Sequence, residues 1–496
     1  MSEHSEHVSE HSEDEDDIEE GRSYVVIGKA GEGANATVYT CIDATDEDNQ
    51  FPVAIKRNFV DKQISFAGTI READVTVRVR GHPCMARVDV ILYERPVDME
   101  DYISDDRRED TIYLVMDHAS LDLFTYIYTE ERDEVELSRI MERIVLGIEY
   151  FHGKRMMHRD IKPANVVIYR FEDGESITAL IDYGISKMMC GNEPNTPRAV
   201  TSWYRSPEVC NDEPYSYPAD MWSVGCVFYE MVAAKPLIEV GEDELDGMGQ
   251  MLAGLVPTDF DERRSKLIEM IQNNNGLLLE NEEFLNLLTG LLDPNPETRL
   301  TAQQALESPF FDEQRDDIEE IRHDFPPEPD DEPIYTIVPS KERETAFELA
   351  RSIFDARMQF PWYKHRIMFL ALNLFDRFLE TGPEFENDKD VQIKFLCCLY
   401  LSIKYYLTLT IPPSYPDVVS DEYSTPEIMT KIEKFEEELF STICGFYLYK
   451  VTIYEAYDGG MMTEEIAEKL FRFYTDRTLE LHDVSPDVMC KMALEK

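Results

Sequence analysis

The sequence is poor in positive charge. Lysine and arginine together number 48 against 101 aspartates and glutamates, for a formal net charge of −53. Such a balance argues against nonspecific nucleic-acid binding and fits basic partners or substrates, although part of the charge is local to a tail and a linker. Long hydrophobic runs are missing too. None approaches the roughly 20 residues that span a bilayer, so the chain reads as soluble, with no membrane partner. The nine cysteines include no CxxC pair or other zinc spacing, which points to a reducing compartment, cytosolic or nuclear. The opening "MSEHSEHVSEHSEDEDDIEE" lacks the apolar stretch of a signal peptide.

The 496 residues suggest about three domains. Residues 1–21 repeat Ser-Glu-His and then run acidic, so they cannot bury a core and are expected to be disordered. From Tyr24 the pattern changes to short strand-like runs: "SYVVIGKA", "ATVYTCID", "PVAIKR", "ARVDVILY" and "TIYLVMD". Glycines and polar clusters separate them, as in an antiparallel sheet. From about Leu121 the period turns helical, and "LSRIMERIVLGIEYFH" is an amphipathic helix. The acidic, proline-containing "DEQRDDIEEIRHDFPPEPDDEP" reads as the body of an extended linker over 312–339. Beyond it, "KHRIMFLALNLFDRFLE" and "VQIKFLCCLYLSIKYY" are apolar nearly all round, which predicts helices buried in a bundle. "TEEIAEKLFRFYTDRTLELHD" and "SPDVMCKMALEK" predict further amphipathic helices starting at Thr463 and Ser485.

"AGEGANATVY" lies between two predicted strands and is followed, in order, by "VAIK", "HRDIKPAN", "IDYG" and "RSPE". Any one of these alone is better read as a turn or a solvated charge. Their order and spacing carry the signal, and together they resemble the protein kinase signature set. The resemblance implies an α+β, bilobal kinase fold over 22–311, with an N-lobe of about 22–118 and a C-lobe of about 119–311. It also implies roles. Gly31 and Gly33 would let backbone N–H groups approach the ATP phosphates; the third loop glycine is Ala36. Lys56 would hold the α- and β-phosphates. Asp160 would accept the substrate hydroxyl proton, and Asn165 and Asp182 would hold Mg²⁺. Lys162 resembles the lysine that marks Ser/Thr kinases. Val38, Ala54, the gatekeeper Met116 and the hinge Asp117 to Ala119 would line the ATP site. "DFG" reads "DYG", which keeps the aromatic ring.

"AGTIRE" resembles the "PSTAIRE" helix of cyclin-dependent kinases. That resemblance pairs Glu72 with Lys56 and assigns Arg71, Arg159 and Lys187 to a cation cluster around a phosphorylated Thr196, in "TPRAVTSWYRSPEV". The outer face of this helix is where a cyclin would press. "GEDELDGMGQML" resembles the family's "SEIDQLFRI" stretch, and Asp220 and Arg299 match its structural Asp and Arg. The Thr-Tyr pair whose phosphorylation inhibits many members is here Ala34-Asn35, so that brake is expected to be absent.

"LALNLFDRFLE", "CLYLSIKYYLTLTIPP" and "IMTKIEKFEEELFSTICGFYLYKVT" resemble successive pieces of a cyclin box over 340–455, with 456–496 as a partial second repeat. This implies an all-α cyclin-box domain following the kinase; a generic helical bundle is the alternative. By rough alignment, the cyclin Lys and Glu that contact the kinase fall at Trp362 and Tyr406, and the "MRAIL…W" substrate-docking patch has no clear match.

The implied protein is a cyclin-dependent-type Ser/Thr kinase activated by its own cyclin-like domain on the Arg71–Glu72 helix. It would use ATP and Mg²⁺ on protein Ser or Thr, in Ser-Pro or Thr-Pro contexts. Tethering gives a high effective concentration, and a domain-swapped dimer would use the same contacts. The fused arrangement suggests, by analogy, a large DNA virus or a protist. The rival readings are a scaffold that sequesters a host cyclin or kinase, and an active kinase whose cyclin-like part recruits another kinase.

Overall fold

The computed structural model describes residues 23–32, 36–45, 50–60, 65–94, 110–171, 175–188, 202–239, 248–326, 335–337, 340–356, 364–381, 383–406, 428, 431–432, 435, 470 and 481–484. The N-terminal lobe holds β1 (Tyr24–Glu32), β2 (Ala36–Asp43), β3 (Phe51–Val60), α1 (Ser65–Val79), β4 (Val88–Glu94) and β5 (Asp110–Asp117). The five strands form one antiparallel sheet in the order β1-β2-β3-β5-β4. Two register shifts in β1 bend it, as bulges do. Alternation along β3 divides the faces: Val53 and Ile55 join Cys41 and Val115 in a buried cluster, while Ala54, Lys56 and Asn58 face the cleft.

Helix α1, "SFAGTIREADVTVRV", is rich in β-branched residues and contains Gly68. By intrinsic propensity it is a weak helix, so its helicity depends on packing. It packs between β3 and a helix more than 300 residues further on, α13 (Asp388–Tyr406).

The C-terminal lobe contains β6 (Leu121–Asp122), α2 (Leu123–Thr129), α3 (Glu134–Gly153), β7 (Met156–Met157), β8 (Val166–Arg170), β9 (Ser176–Leu180) and β10 (Lys187–Met188). It continues through α4 (Pro207–Cys210), α5 (Pro218–Ala233), α6 (Met248–Leu255), α7 (Phe260–Asn273), α8 (Glu282–Leu291), α9 (Ala302–Leu306) and α10 (Arg315–Asp324). Asp133 caps α3, accepting from the backbone N–H groups of Val135 and Glu136. Every residue of α5 after Pro218 is buried, with Trp222 among the largest fully enclosed side chains.

The stretch expected to be linker from residue 312 is instead partly C-lobe. Ile318 and Ile321 of α10 are buried, and Arg322 grips Glu149 while Arg143 reaches Asp317. The Phe325 ring stands edge-on to His82, 5.3 Å away. The acidic composition that suggested a linker is a helix property: Asp316 and Asp317 lie in the first turn, and Arg322 and His323 in the last, as the helix dipole favours.

The remaining described elements are β11 (Tyr335–Ile337), α11 (Lys341–Ala356), α12 (Lys364–Glu380), α13 (Asp388–Tyr406) and β12 (Leu481–Val484). The three helices pack on one another. A buried ion pair joins Arg343 to Asp376 at 2.8 Å. β11 pairs antiparallel with β12, Tyr335 opposite Val484, which ties the entry of this helical unit to a segment near its far end. The sequence pattern predicted helix through "LELHD"; residues 481–484 are strand because β11 offers them a partner. The starts at Thr463 and Ser485 lie outside the described residues. One buried apolar cluster runs from α5 and α3 through Ala73, Val75 and Val79 of α1 to Phe395 and Leu401 of α13. Among the described residues, no helix is long and apolar enough to cross a membrane.

Candidate active site

Three segments converge on one ammonium group. Lys56 Nζ, from β3, lies 2.5 Å from Glu72 Oε1 of α1. It also lies 3.1 Å from Asp182 Oδ1, in the turn after β9. Burial disfavours the charge on Lys56, but the Glu72 and Asp182 carboxylates outweigh it and raise its pKa above the usual lysine range. Burial pushes Asp182 upward, and Lys56 more than reverses this, so Asp182 is held below the usual carboxylate range. Both groups are therefore charged at neutral pH.

The loop between β7 and β8 carries Asp160. Lys162 Nζ donates to Asp160 Oδ2 at 2.7 Å. Asn165 Nδ2 donates to the Asp160 carbonyl and to Oδ2, both at 2.8 Å. The loop is held from below by Asp220 of α5, which accepts from the backbone N–H of His158 and of Arg159, each at 2.9 Å. This grip sustains Arg159 at φ 67°, a costly conformation for a residue with a bulky side chain. Burial works against the Asp220 charge, but hydrogen bonds from His152 and the loop hold its pKa down. Asp220 and Arg299 both serve as anchors. Arg299 binds Glu208 through two contacts of 2.8 and 3.0 Å, and its guanidinium lies 5.2 Å from the Trp222 ring centroid. Glu208 was not singled out from the sequence; the signal was the Glu of "RSPE".

Lys56, Glu72, Asp160, Asn165 and Asp182 border a cleft of about 740 Å³, which Gly31, Val38, Ala54, Met116 and Asp117 to Ala119 also line. That lies within the range of about 300–1,000 Å³ typical of small-molecule sites. Ala54 and Met116 are directly opposed across β3 and β5. A Cβ built on Gly31 would meet no protein atom within 4 Å, so any demand for glycine there comes from a ligand. With its amide nitrogen committed to Asp160, Asn165 has its amide oxygen left for a cation. That oxygen and the Asp182 carboxylate are hard donors of the kind Mg²⁺ prefers, so the residues fit a Mg–nucleotide.

Gly33 and Thr196 lie outside the described residues, as does Trp362. Arg71 and Tyr406 fall within α1 and α13, but their side chains lie outside what is described. Arg159 and Lys187 are both buried, and Arg159 Nε donates to the Ile185 carbonyl at 2.6 Å.

Comparison with known proteins agrees with this geometry. The protein kinase domain family model matches residues 24–311. The chain belongs to the protein kinase family. It is 30% identical to cyclin-dependent kinase 4 of Mus musculus over 315 residues, 60% of this chain and 98% of that protein. The kinase of the same name from Sus scrofa is 31% identical over 307 residues, 58% of this chain and 96% of that protein. The human MAPK/MAK/MRK overlapping kinase is 27% identical over 308 residues, 59% of this chain and 69% of that protein. By these relationships the chain is a Ser/Thr protein kinase of the cyclin-dependent kinase family, and its cofactors are ATP and Mg²⁺.

Proposed function

We propose that this kinase is switched on in cis by its own C-terminal helical unit, which acts as a cyclin-like domain, and that it phosphorylates Ser or Thr in protein substrates. The observation that carries this reading is the packing of α13 on α1. Asp74 and Arg78 sit on the turn of α1 directed away from Glu72 and Thr76, since 3.6 residues complete one turn. Both are nevertheless buried, and 3.4 Å apart. A weak helix covered on its outer face is held where Glu72 reaches Lys56. Without that cover, α1 is free to swing out and break the pair.

ATP·Mg²⁺ supplies the phosphoryl group and the charge neutralisation for its transfer. The chain's residues do the rest. Lys56 orients the phosphates, Asp160 accepts the proton of the attacking hydroxyl, and Lys162, hydrogen-bonded to Asp160, balances developing charge. A preference for proline after the target residue follows from the likeness of "TPRAVTSWYRSPEV" to the family segment. A peptide array without proline enrichment would remove that part of the reading.

The connection supports action in cis. Phe325 is seated on His82, just beyond the end of α1. From there to Tyr335 the chain has ten steps, or at most about 35 Å. A connector this short favours the chain's own partner over another copy.

The test is the phosphotransfer rate on a basic Ser-Pro peptide, comparing the whole chain with residues 1–326 and with Asp160→Asn. The expected result is activity in the whole chain and a loss of orders of magnitude on truncation. Equal rates would replace cis activation with recruitment by the helical unit. Silence from both would favour a scaffold.

A further inference from the structure

The tyrosine after Asp182 makes bonds that a phenylalanine could not. Tyr183 is 1% exposed. Its hydroxyl donates to the Leu180 carbonyl at 2.7 Å and accepts from the Ala86 backbone N–H at 3.0 Å. Met85 Sδ stands 3.6 Å away. The ring packs at 5.7 Å from both Phe151 and His158. Asp182, one residue earlier, holds φ 68°, so the turn carries strain and must be fastened to persist. In kinases the packing of this ring decides between active and inactive turns. Here the ring is also fastened at its tip.

We propose that Tyr183 is a positioning residue. Its hydroxyl latches the Asp182 turn to the segment preceding β4 and keeps the Asp182 carboxylate directed at the cleft beside Lys56. The bonds around it argue against a role in folding alone. The Ala86 N–H also reaches the Leu180 carbonyl at 2.9 Å, and the Leu180 N–H reaches Cys84 O at 2.9 Å. Removing the hydroxyl therefore orphans neither backbone group, and Tyr183→Phe keeps the buried ring. What the variant loses is the cost of pulling the tip out of its two bonds. Two ordinary buried hydrogen bonds bias such an equilibrium by about tenfold or more.

The readout follows from population arithmetic. While the inward turn dominates, the affinity for MgADP barely senses the change, because the competent fraction stays near one. A ligand that requires the outward turn gains in proportion to the outward fraction. The experiment measures two probes on the full chain and on Tyr183→Phe. One is MgADP. The other is an ATP-site inhibitor of the class whose apolar arm fills the space vacated when side chain 183 turns out. The expected result is about tenfold tighter binding of the second probe to Tyr183→Phe. MgADP affinity should fall by no more than about twofold, with a thermal unfolding transition still cooperative. Equal affinity of the second probe for both proteins would overturn the proposal. So would a parallel loss of both affinities with loss of the unfolding transition, which would make the hydroxyl a folding element only.

Discussion

Glu72 meets Lys56 at 2.5 Å from a helix whose own sequence favours it weakly. The pair is therefore where the packing of α1 becomes chemistry. Glu72→Gln leaves Lys56 with Asp182 alone and frees the lysine to swing toward it. Losing one partner of a buried ion pair is worth about 3–5 kcal/mol. Phosphotransfer is expected to fall by about two orders of magnitude or more, and a steady-state assay of kcat/KM for ATP checks it. A variant within threefold of the parent would mean that α1 does not position Lys56.

Asp160 is set by Lys162, Asn165 and the loop that Asp220 grips. Asp160→Asn preserves size and hydrogen bonding but removes the carboxylate proposed to accept the substrate proton. A loss of about 10²- to 10⁴-fold in kcat is expected, with MgADP still bound. Rapid-quench kinetics separate that loss in the chemical step from a loss of binding.

Arg299 and Glu208 are both buried, so breaking the pair leaves a charge without its counter-ion. Glu208→Ala is expected to destabilise the fold by about 3–5 kcal/mol, read from denaturant unfolding of the full chain. A change below about 0.5 kcal/mol would show that the pair is solvated.

Ile318 of α10 is 0% exposed. Ile318→Ala should cost about 2–5 kcal/mol, as for a core isoleucine. If α10 were a linker segment, the same change would fall within about 0.5 kcal/mol of zero. Urea unfolding distinguishes these results.

Glu142 of α3 is 1% exposed, neither carboxylate oxygen has a hydrogen-bond partner among the described residues, and Arg143 stands 3.6 Å off. Burial raises its pKa from 4.5 to about 7, with Arg143 opposing. The folded state therefore keeps a proton that the unfolded state releases. The stability this represents is present below about pH 4.5 and is lost as pH rises through about 7. Glu142→Gln should gain on the order of 1–3 kcal/mol over the parent at pH 8, and the gain should vanish near pH 4.5. His82 works in the other direction: burial lowers it from 6.5 to about 3, so its contribution is whole above pH 6.5 and lost on acidification. It is common to both proteins, so the difference between their melting curves isolates Glu142.

The chemistry of the cleft was legible because it sits in short local motifs. "VAIK", "HRDIKPAN" and "IDYG" each confine one role to a few residues, and the strands between them alternate at period two. Glu208 was less legible, since "RSPE" says nothing of the arginine 91 residues away that binds it. The α10 segment was misread because its acidic composition resembles a linker, while its two buried isoleucines, three apart, mark a helix face only once α3 is there to cover it.

Local pattern and motif order were enough for the α+β kinase architecture and for the helices at 364–380 and 391–406. The packed chain was needed to show that Asp182 reaches Lys56 across 126 residues, that Asp220 holds the strained loop before Asp160, that the kinase lobe extends through Phe325, and that α13 is the helix lying against α1. Those outcomes depend on which surfaces meet. Burial across long sequence separations, not the preference of any one segment, sets them.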